Sequence, residues 1–132
     1  MLYMLDTNII SYLLEGNEKI RKHLFSILSG NEIELPEIVY YEIERGLLLN
    51  NAKNKQTNFN EFCRLFPIRY MTKDSLFCAS QIYADLCKKG KIIEDADILI
   101  GACAISNNAI IVTNNEEHLG RIEGLKIENW TK

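Results

Sequence analysis

Residues 95–115 read DADILIGACAISNNAIIVTNN. The stretch from Ala96 to Ile105 is apolar nearly all round, which predicts a helix buried deep in the molecule rather than one lying on its surface. Ala109 to Thr113 then forms an unbroken apolar run. A strand covered on both faces has that composition, so the segment belongs in the middle of a parallel sheet. The chain opens on a second such run, MLYML, in which Leu2 to Leu5 reads as a strand. Between these two strands, helical and extended patterns alternate. Asn8 to Leu14 predicts a short helix ending near Gly16. Asn17 is placed to cap a second helix running to about Ser29, with Ile20, Leu24, Ile27 and Leu28 on its apolar face. Ile33 to Leu35 is a short strand, and Pro36 sits where a helix starts, with Val39, Ile43 and Leu47 at four-residue spacing behind it.

Residues Asn51 to Thr57 look like a polar break. Phe59, Phe62, Cys63 and Phe66 predict a further helix stopped at Pro67, followed by a strand over Ile68 to Met71. Thr72 is a cap for a long helix with Leu76, Ala79, Ile82, Tyr83 and Leu86 inward, ended by Gly90. Lys126 to Glu128 adds an edge strand. The alternation predicts an α/β fold, a three-layer α/β/α domain with a mainly parallel central sheet, spanning residues 1–132 as one unit.

Composition bounds the function. The chain has 132 residues, enough for one core, and its 47% apolar and 25% charged residues are those of an ordinary globular protein. No apolar run is long enough to span a membrane, and the N-terminus lacks the basic flank and cleavage site of a signal peptide, so a cytoplasmic location is expected. Cys63, Cys78, Cys87 and Cys103 form no C-x-x-C pair and lie far in sequence from His23 and His118. Neither a zinc site nor a disulfide framework is expected; the cysteines read as reduced, small apolar residues. The net charge of −3 argues against nucleic-acid binding by bulk charge. It leaves room for a nuclease, because acidic metal ligands count against the total. Lys88, Lys89 and Lys91 form one basic cluster and Lys53 and Lys55 another; each reads first as a solvated face.

Three carboxylates stand out by position. Asp6 closes the first strand where a helix begins, and open α/β sheets bind ligands outside the carboxyl ends of their strands. Glu42 borders the apolar stripe of the helix after Pro36, with Gly46 one turn further on the same side, leaving space for an ion or phosphate. A partly buried acid paired with a basic residue is the ordinary alternative. Asp97 falls in the first turn of the buried helix, where an acid also favours the helix dipole, and Asp95 reads mainly as the N-cap. Parallel strands share their carboxyl edge, so Thr113, Asn114 and Asn115 reach the same rim as Asp6, followed by Glu116, Glu117 and His118. Asn115 is suited to hold a ligand oxygen and Thr113 to bond to the Asp6 loop; turn formation by the asparagine pair is the alternative. Acids converging on an open rim are what a hard cation such as magnesium requires, and a cation-held water with a phosphodiester oxygen would complete the arrangement.

Four segments in order, MLDTNI, YEIERG, DILIGACAISNNAIIVTNNEEHL and GLKIENW, resemble the PIN-domain ribonucleases and, within them, the VapC toxins of bacterial toxin–antitoxin pairs. The similarity runs essentially from end to end. It implies an endoribonuclease dependent on Mg²⁺, with Mn²⁺ as a substitute, and with Asp6, Glu42 and Asp97 as catalytic metal ligands. Asn8, Thr113, Asn115, Asp95 and Glu116 are the supporting positions. Where many members place a fourth acid, this chain has Asn115, with His118, Glu116 and Glu117 close by, so one well-held ion is implied. The resemblance further implies hydrolysis to a 5′-phosphate and a 3′-hydroxyl. Its substrate would be structured RNA, the tRNA anticodon loop first and ribosomal RNA next, with translation inhibited as a result. It also implies a homodimer and a VapB-type antitoxin that forms a hetero-oligomer with the toxin. Two other readings attach to the same residues. A haloacid-dehalogenase-like phosphatase would use Asp6 as nucleophile, but such enzymes carry a second aspartate where this chain has Asn8. A non-catalytic PIN-like binding module is the third.

Overall fold

A computed structural model describes all residues, Met1–Lys132. In chain order the elements are β1 (Leu2–Leu5), α1 (Thr7–Leu14), α2 (Glu18–Ile27), β2 (Glu32–Pro36), α3 (Glu37–Leu49) and α4 (Lys53–Leu65). There follow β3 (Ile68–Arg69), α5 (Lys73–Lys88), α6 (Asp95–Ser106), β4 (Ile110–Val112), α7 (Glu116–Leu119) and β5 (Lys126–Glu128). The sheet has five strands in the order β3-β2-β1-β4-β5, and every pairing is parallel. The expected mainly parallel sheet is thus wholly parallel. Parallel strands joined through helices take right-handed crossovers, and with this strand order that rule puts α1 to α4 on one face and α5 to α7 on the other. Most helix contacts follow that division: α1 touches α2 and α3, α3 touches α4, and α6 touches both α5 and α7, while α3 and α6 meet across it.

The central strands are buried because they are apolar on both faces. Met4, Leu5, Ile111 and Val112 have no solvent exposure. In α6, Ile98, Ile100, Gly101, Ala102, Cys103 and Ala104 are all buried, as its unbroken apolar composition predicts. One cluster of 27 buried side chains joins the layers. The two-residue strand β3 is held at the edge by more than its ladder. Arg69 donates to both oxygens of the buried Glu34 at 2.7 and 2.9 Å, and the Met71 amide donates to Glu37. No helix is long and apolar enough to cross a membrane. All four cysteines are free; Cys103 is buried and burial pushes its thiol up to about 11, whereas Cys87 is exposed and does not serve as a core residue.

Several local expectations are corrected. Helix α4 starts at Lys53, inside the stretch expected to be a polar break, because it buries only Phe59 and so carries almost no apolar signature. Pro36 stands at the helix start as expected: it ends β2 and occupies the N-cap of α3. In α5 the buried face is Ser75, Ala79, Ile82 and Leu86. Leu76 and Tyr83, expected inward, are 50% and 51% exposed. The stripe is rotated because the Thr72 cap draws Ser75 in. The Ser75 amide donates to Thr72 Oγ1 at 3.1 Å and the Thr72 amide returns a bond to Ser75 Oγ at 3.4 Å. Replacing Thr72 with alanine removes this cap and should cost about 1 kcal/mol, read as a lowered midpoint in urea unfolding. Helix α2 stops at Ile27, where the Asn31 side chain donates to the Ile27 carbonyl at 2.8 Å and ends the helix early.

Candidate active site

The β1–β4 register pairs Leu5 with Val112, so the next residues of both strands, Asp6 and Thr113, emerge side by side at the carboxyl edge. Asp6 is only 3% exposed and Thr113 not at all. Three donors meet the Asp6 carboxylate. The Thr7 amide donates to Oδ1 at 2.7 Å, which makes Asp6 the N-cap of α1. Thr113 Oγ1 and Asn8 Nδ2 donate to Oδ2 at 2.7 and 3.1 Å. A carboxylate has about four acceptor sites, so Oδ1 retains capacity for one more partner. Burial raises the Asp6 pKa above the ordinary aspartate value; the hydrogen bonds oppose that shift, and the nearby Glu42 charge adds to it.

Glu42 reaches the rim from α3. Its Oε1 accepts a 2.7 Å bond from Thr7 Oγ1. Its Oε2 lies 3.7 Å from Arg45, whose guanidinium sits 5.1 Å from the Tyr41 ring centroid. The basic partner anticipated for a half-buried Glu42 is therefore present, but at long range and from the solvent side. Asp97 comes from the opposite layer, and α3 and α6 touch where the two layers meet. No hydrogen-bond donor from the protein satisfies it; His118 Nδ1 lies 3.5 Å from its Oδ2. Its pKa is raised first by burial and next by the Asp6 charge, with Glu94 and Glu42 adding and His118 opposing.

Asp6, Glu42 and Asp97 are thus electrostatic neighbours. They do not form a closed cage: no three acidic, histidine or cysteine side chains converge on one point as metal ligands would. Asp6 and Glu42 are each turned to a donor of the protein, because like charges at close range repel and local donors offer the alternative, whereas Asp97 accepts none. The donor set is nonetheless all carboxylate oxygen, which suits a hard divalent cation and no soft one.

The supporting positions divide. Asn8 and Thr113 touch Asp6 directly. Asn8 Oδ1 also accepts the Asn114 amide at 2.9 Å, so Asn8 ties the loop after β4 to that after β1. Asn115 stays at the rim but not against the acids: its amide donates to Thr113 Oγ1 at 2.9 Å and its side chain lies 3.3 Å from His118 Nδ1. Asp95 is not the N-cap of α6. Glu94 holds that position and makes no side-chain capping bond. Asp95 is exposed in the first turn and takes no part in the cluster. Glu116 is drawn away as well, to Lys132 at 2.9 Å and Asn129 at 3.0 Å, and these contacts hold its carboxyl below the usual range. The reading from sequence missed Thr7 as the partner of Glu42 and Arg45 as its neighbour. The signal for Arg45 was its i+3 spacing from Glu42. Nothing in the sequence signals a bond between residues 7 and 42.

A family model described as PIN domain matches residues 3–125. The chain is 33% identical to Ribonuclease VapC2 of Rickettsia felis, over the full length of both proteins. It is 28% identical to the tRNA(fMet)-specific endonuclease VapC of Salmonella typhimurium, over 97% of each. Among solved structures, the VapBC2 complex of Rickettsia felis bound to a promoter DNA fragment superposes with a TM-score of 0.93. That comparison is at 31% identity and covers 98% of this chain and 99% of that one.

Proposed function

Since this chain belongs to the PIN-domain family and, within it, to the VapC ribonucleases, we propose that it is a divalent-metal-dependent endoribonuclease, with Asp6, Glu42 and Asp97 as ligands of Mg²⁺ or, in its place, Mn²⁺. The observation that carries this reading is the placement of a buried aspartate beside two further carboxylates, all three without a close cationic partner from the core. A bound cation at these acids would polarise a phosphodiester and lower the pKa of an attacking water. The protein groups do the positioning. Asn8 and Thr113 fix Asp6, Thr7 holds Glu42 by its hydroxyl, and His118 stands 3.5 Å from Asp97. The same two donors on Asp6 Oδ2 disfavour its use as a covalent nucleophile, since hydrogen-bonded lone pairs are less free to attack.

The substrate in this reading is structured RNA, cut to leave a 5′-phosphate and a 3′-hydroxyl. The name of the Salmonella typhimurium relative favours a tRNA anticodon loop, with ribosomal RNA second, and translation would be inhibited in the cytoplasm. The relatives solved as VapBC complexes support a VapB-type antitoxin as partner. Leu76, Phe77 and Tyr83, 50 to 64% exposed along α5, support burial of that helix in a homodimer.

Cleavage of total tRNA by the purified protein, with mapping of new 5′-phosphate ends, tests the reading. EDTA is expected to stop cleavage and added Mg²⁺ or Mn²⁺ to restore it. No cleavage of any RNA, together with no Mn²⁺ binding by calorimetry, would leave a binding module instead. A pH effect accompanies metal binding. Asp6 and Asp97 have folded-state pKa values above their unfolded ones. Their contribution to stability is therefore complete below the unfolded value and is lost as pH rises through the folded one. A cation reverses that loss, so Mg²⁺ should raise the Tm more at about pH 7.5 than at about pH 5.5, where protons compete for the same oxygens.

A further inference from the structure

A cleft of about 370 Å³ opens directly from Thr7 and Glu42 and runs between α1 and α3 to the start of α4. Leu14, Ile43 and Leu47 form its apolar wall, and Ser11, Glu15, Asn50 and Lys55 stand around it. None of these four polar side chains has a hydrogen-bond or ion-pair partner within the protein: Lys55 makes no salt bridge and Glu15 faces no base. Gly46 lines the same cleft, and a Cβ added there would meet no atom within 4 Å, so any larger side chain would project into open space.

We infer that this cleft is a subsite for one unpaired nucleotide of the RNA substrate, adjoining the phosphodiester to be cut; the inference rests on the ribonuclease reading above. Sequence-specific RNA recognition takes single, splayed-out bases and bonds to their edges. An apolar wall receives the face of a base, while uncommitted polar groups at the rim read its edge. Glu15 offers two adjacent acceptor oxygens. Guanine presents adjacent N–H donors at N1 and N2, and no other standard base places two such donors side by side for a carboxylate. Asn50 carries an amide donor suited to the O6 of the same base. Lys55, an unpaired cation at the far end, supplies a backbone phosphate contact, which the overall negative charge of the protein does not provide. Gly46 keeps the space open. The subsite thus assigns the Lys53 and Lys55 cluster a use for its second member, and it predicts a guanine preference at one nucleotide flanking the cut.

The test is a set of RNA hairpins carrying each of the four bases at the nucleotides flanking the mapped cut. Wild type, Glu15→Gln and Gly46→Leu are assayed under single-turnover conditions. Wild type is expected to prefer guanine at one flanking position by about tenfold or more, the range of one good base-edge contact. Inosine, which lacks the N2 amino group, should lose most of that preference. Glu15→Gln and Gly46→Leu should each erase it while circular dichroism and Tm stay near wild type, since Glu15 is exposed and leucine favours a helix. Lys55→Ala should raise KM without changing the base preference. Absence of any preference at the flanking nucleotides, or a preference that survives both variants, overturns the subsite and leaves the ribonuclease reading standing. Unchanged cleavage by Gly46→Leu with lost binding to a co-expressed antitoxin peptide also overturns it, because the cleft would then belong to the peptide. Failure of the wild type to cut any RNA is the distinct result that removes the ribonuclease reading itself.

Discussion

Asp6→Asn is expected to abolish RNA cleavage, by on the order of a thousandfold or more, while leaving the protein folded. The amide is nearly isosteric, and its remaining oxygen still accepts from the Thr7 amide, so the N-cap of α1 survives. The Thr113 hydroxyl, which donates to Asp6 in the wild type, is able to turn and accept from the new NH₂ group, while the longer 3.1 Å bond from Asn8 loses its acceptor, a loss that relief of the buried charge offsets. What disappears is the charge of the most buried of the three carboxylates. Because burial disfavours that charge in the absence of a cation, the Tm of metal-free Asp6→Asn should equal or exceed that of the wild type at neutral pH. The stabilisation by Mg²⁺ should shrink together with activity. Cleavage at wild-type rate, or a Tm several degrees lower, would show that Asp6 serves the fold rather than the chemistry.

Phe59→Ala is expected to be the most destabilising single change in the helices of the α1–α4 layer. Phe59 is fully buried and is the only buried residue of α4, and its ring stacks on Tyr40 at 5.7 Å between centroids. Truncating a buried phenylalanine costs about 3–5 kcal/mol. In a domain of this size that corresponds to a fall in Tm on the order of 10–20 °C. Leu65→Ala, in the same helix at 64% exposure, is the control, with an expected change within about 0.5 kcal/mol. If the two variants melt together, α4 is not anchored through Phe59. Since α4 carries Lys55 at the end of the cleft, Phe59→Ala should also weaken RNA cleavage at temperatures where the rest of the domain remains folded.

Much of this was readable from local pattern. The run Ala109 to Thr113 predicts a central parallel strand, and β4 lies between β1 and β5. Lys126 to Glu128 appears as the edge strand, parallel to β4. Asn17 and Thr72 cap α2 and α5 as their side chains predict. The failures are equally local. The start of α4 and the four-residue helix α7 were missed because a helix that buries a single side chain shows no period. Leu76 and Tyr83 were placed inward because a leucine and a tyrosine outweigh a serine in any count of hydrophobicity. In the fold, Ser75 is buried by its hydrogen bonds and the larger side chains are left outside.

What the sequence determined by itself is the set of strands and longer helices and the edge to which the acids belong. Strand polarity and spacing alone bring Asp6 and Thr113 to the carboxyl rim, and the Val39–Ile43–Leu47 stripe alone sets Glu42 at a boundary. Tertiary structure decided the company each acid keeps. Thr7 bonds to Glu42, His118 approaches Asp97, and Asn8 ties Asp6 to the loop after β4. It also decided that Glu116 is withdrawn to the C-terminal residues and that Asp95 is left in solvent. The reason is range. Helical and strand periods report neighbours within about four residues, whereas these contacts depend on strand register and on the meeting of α3 with α6 from opposite layers.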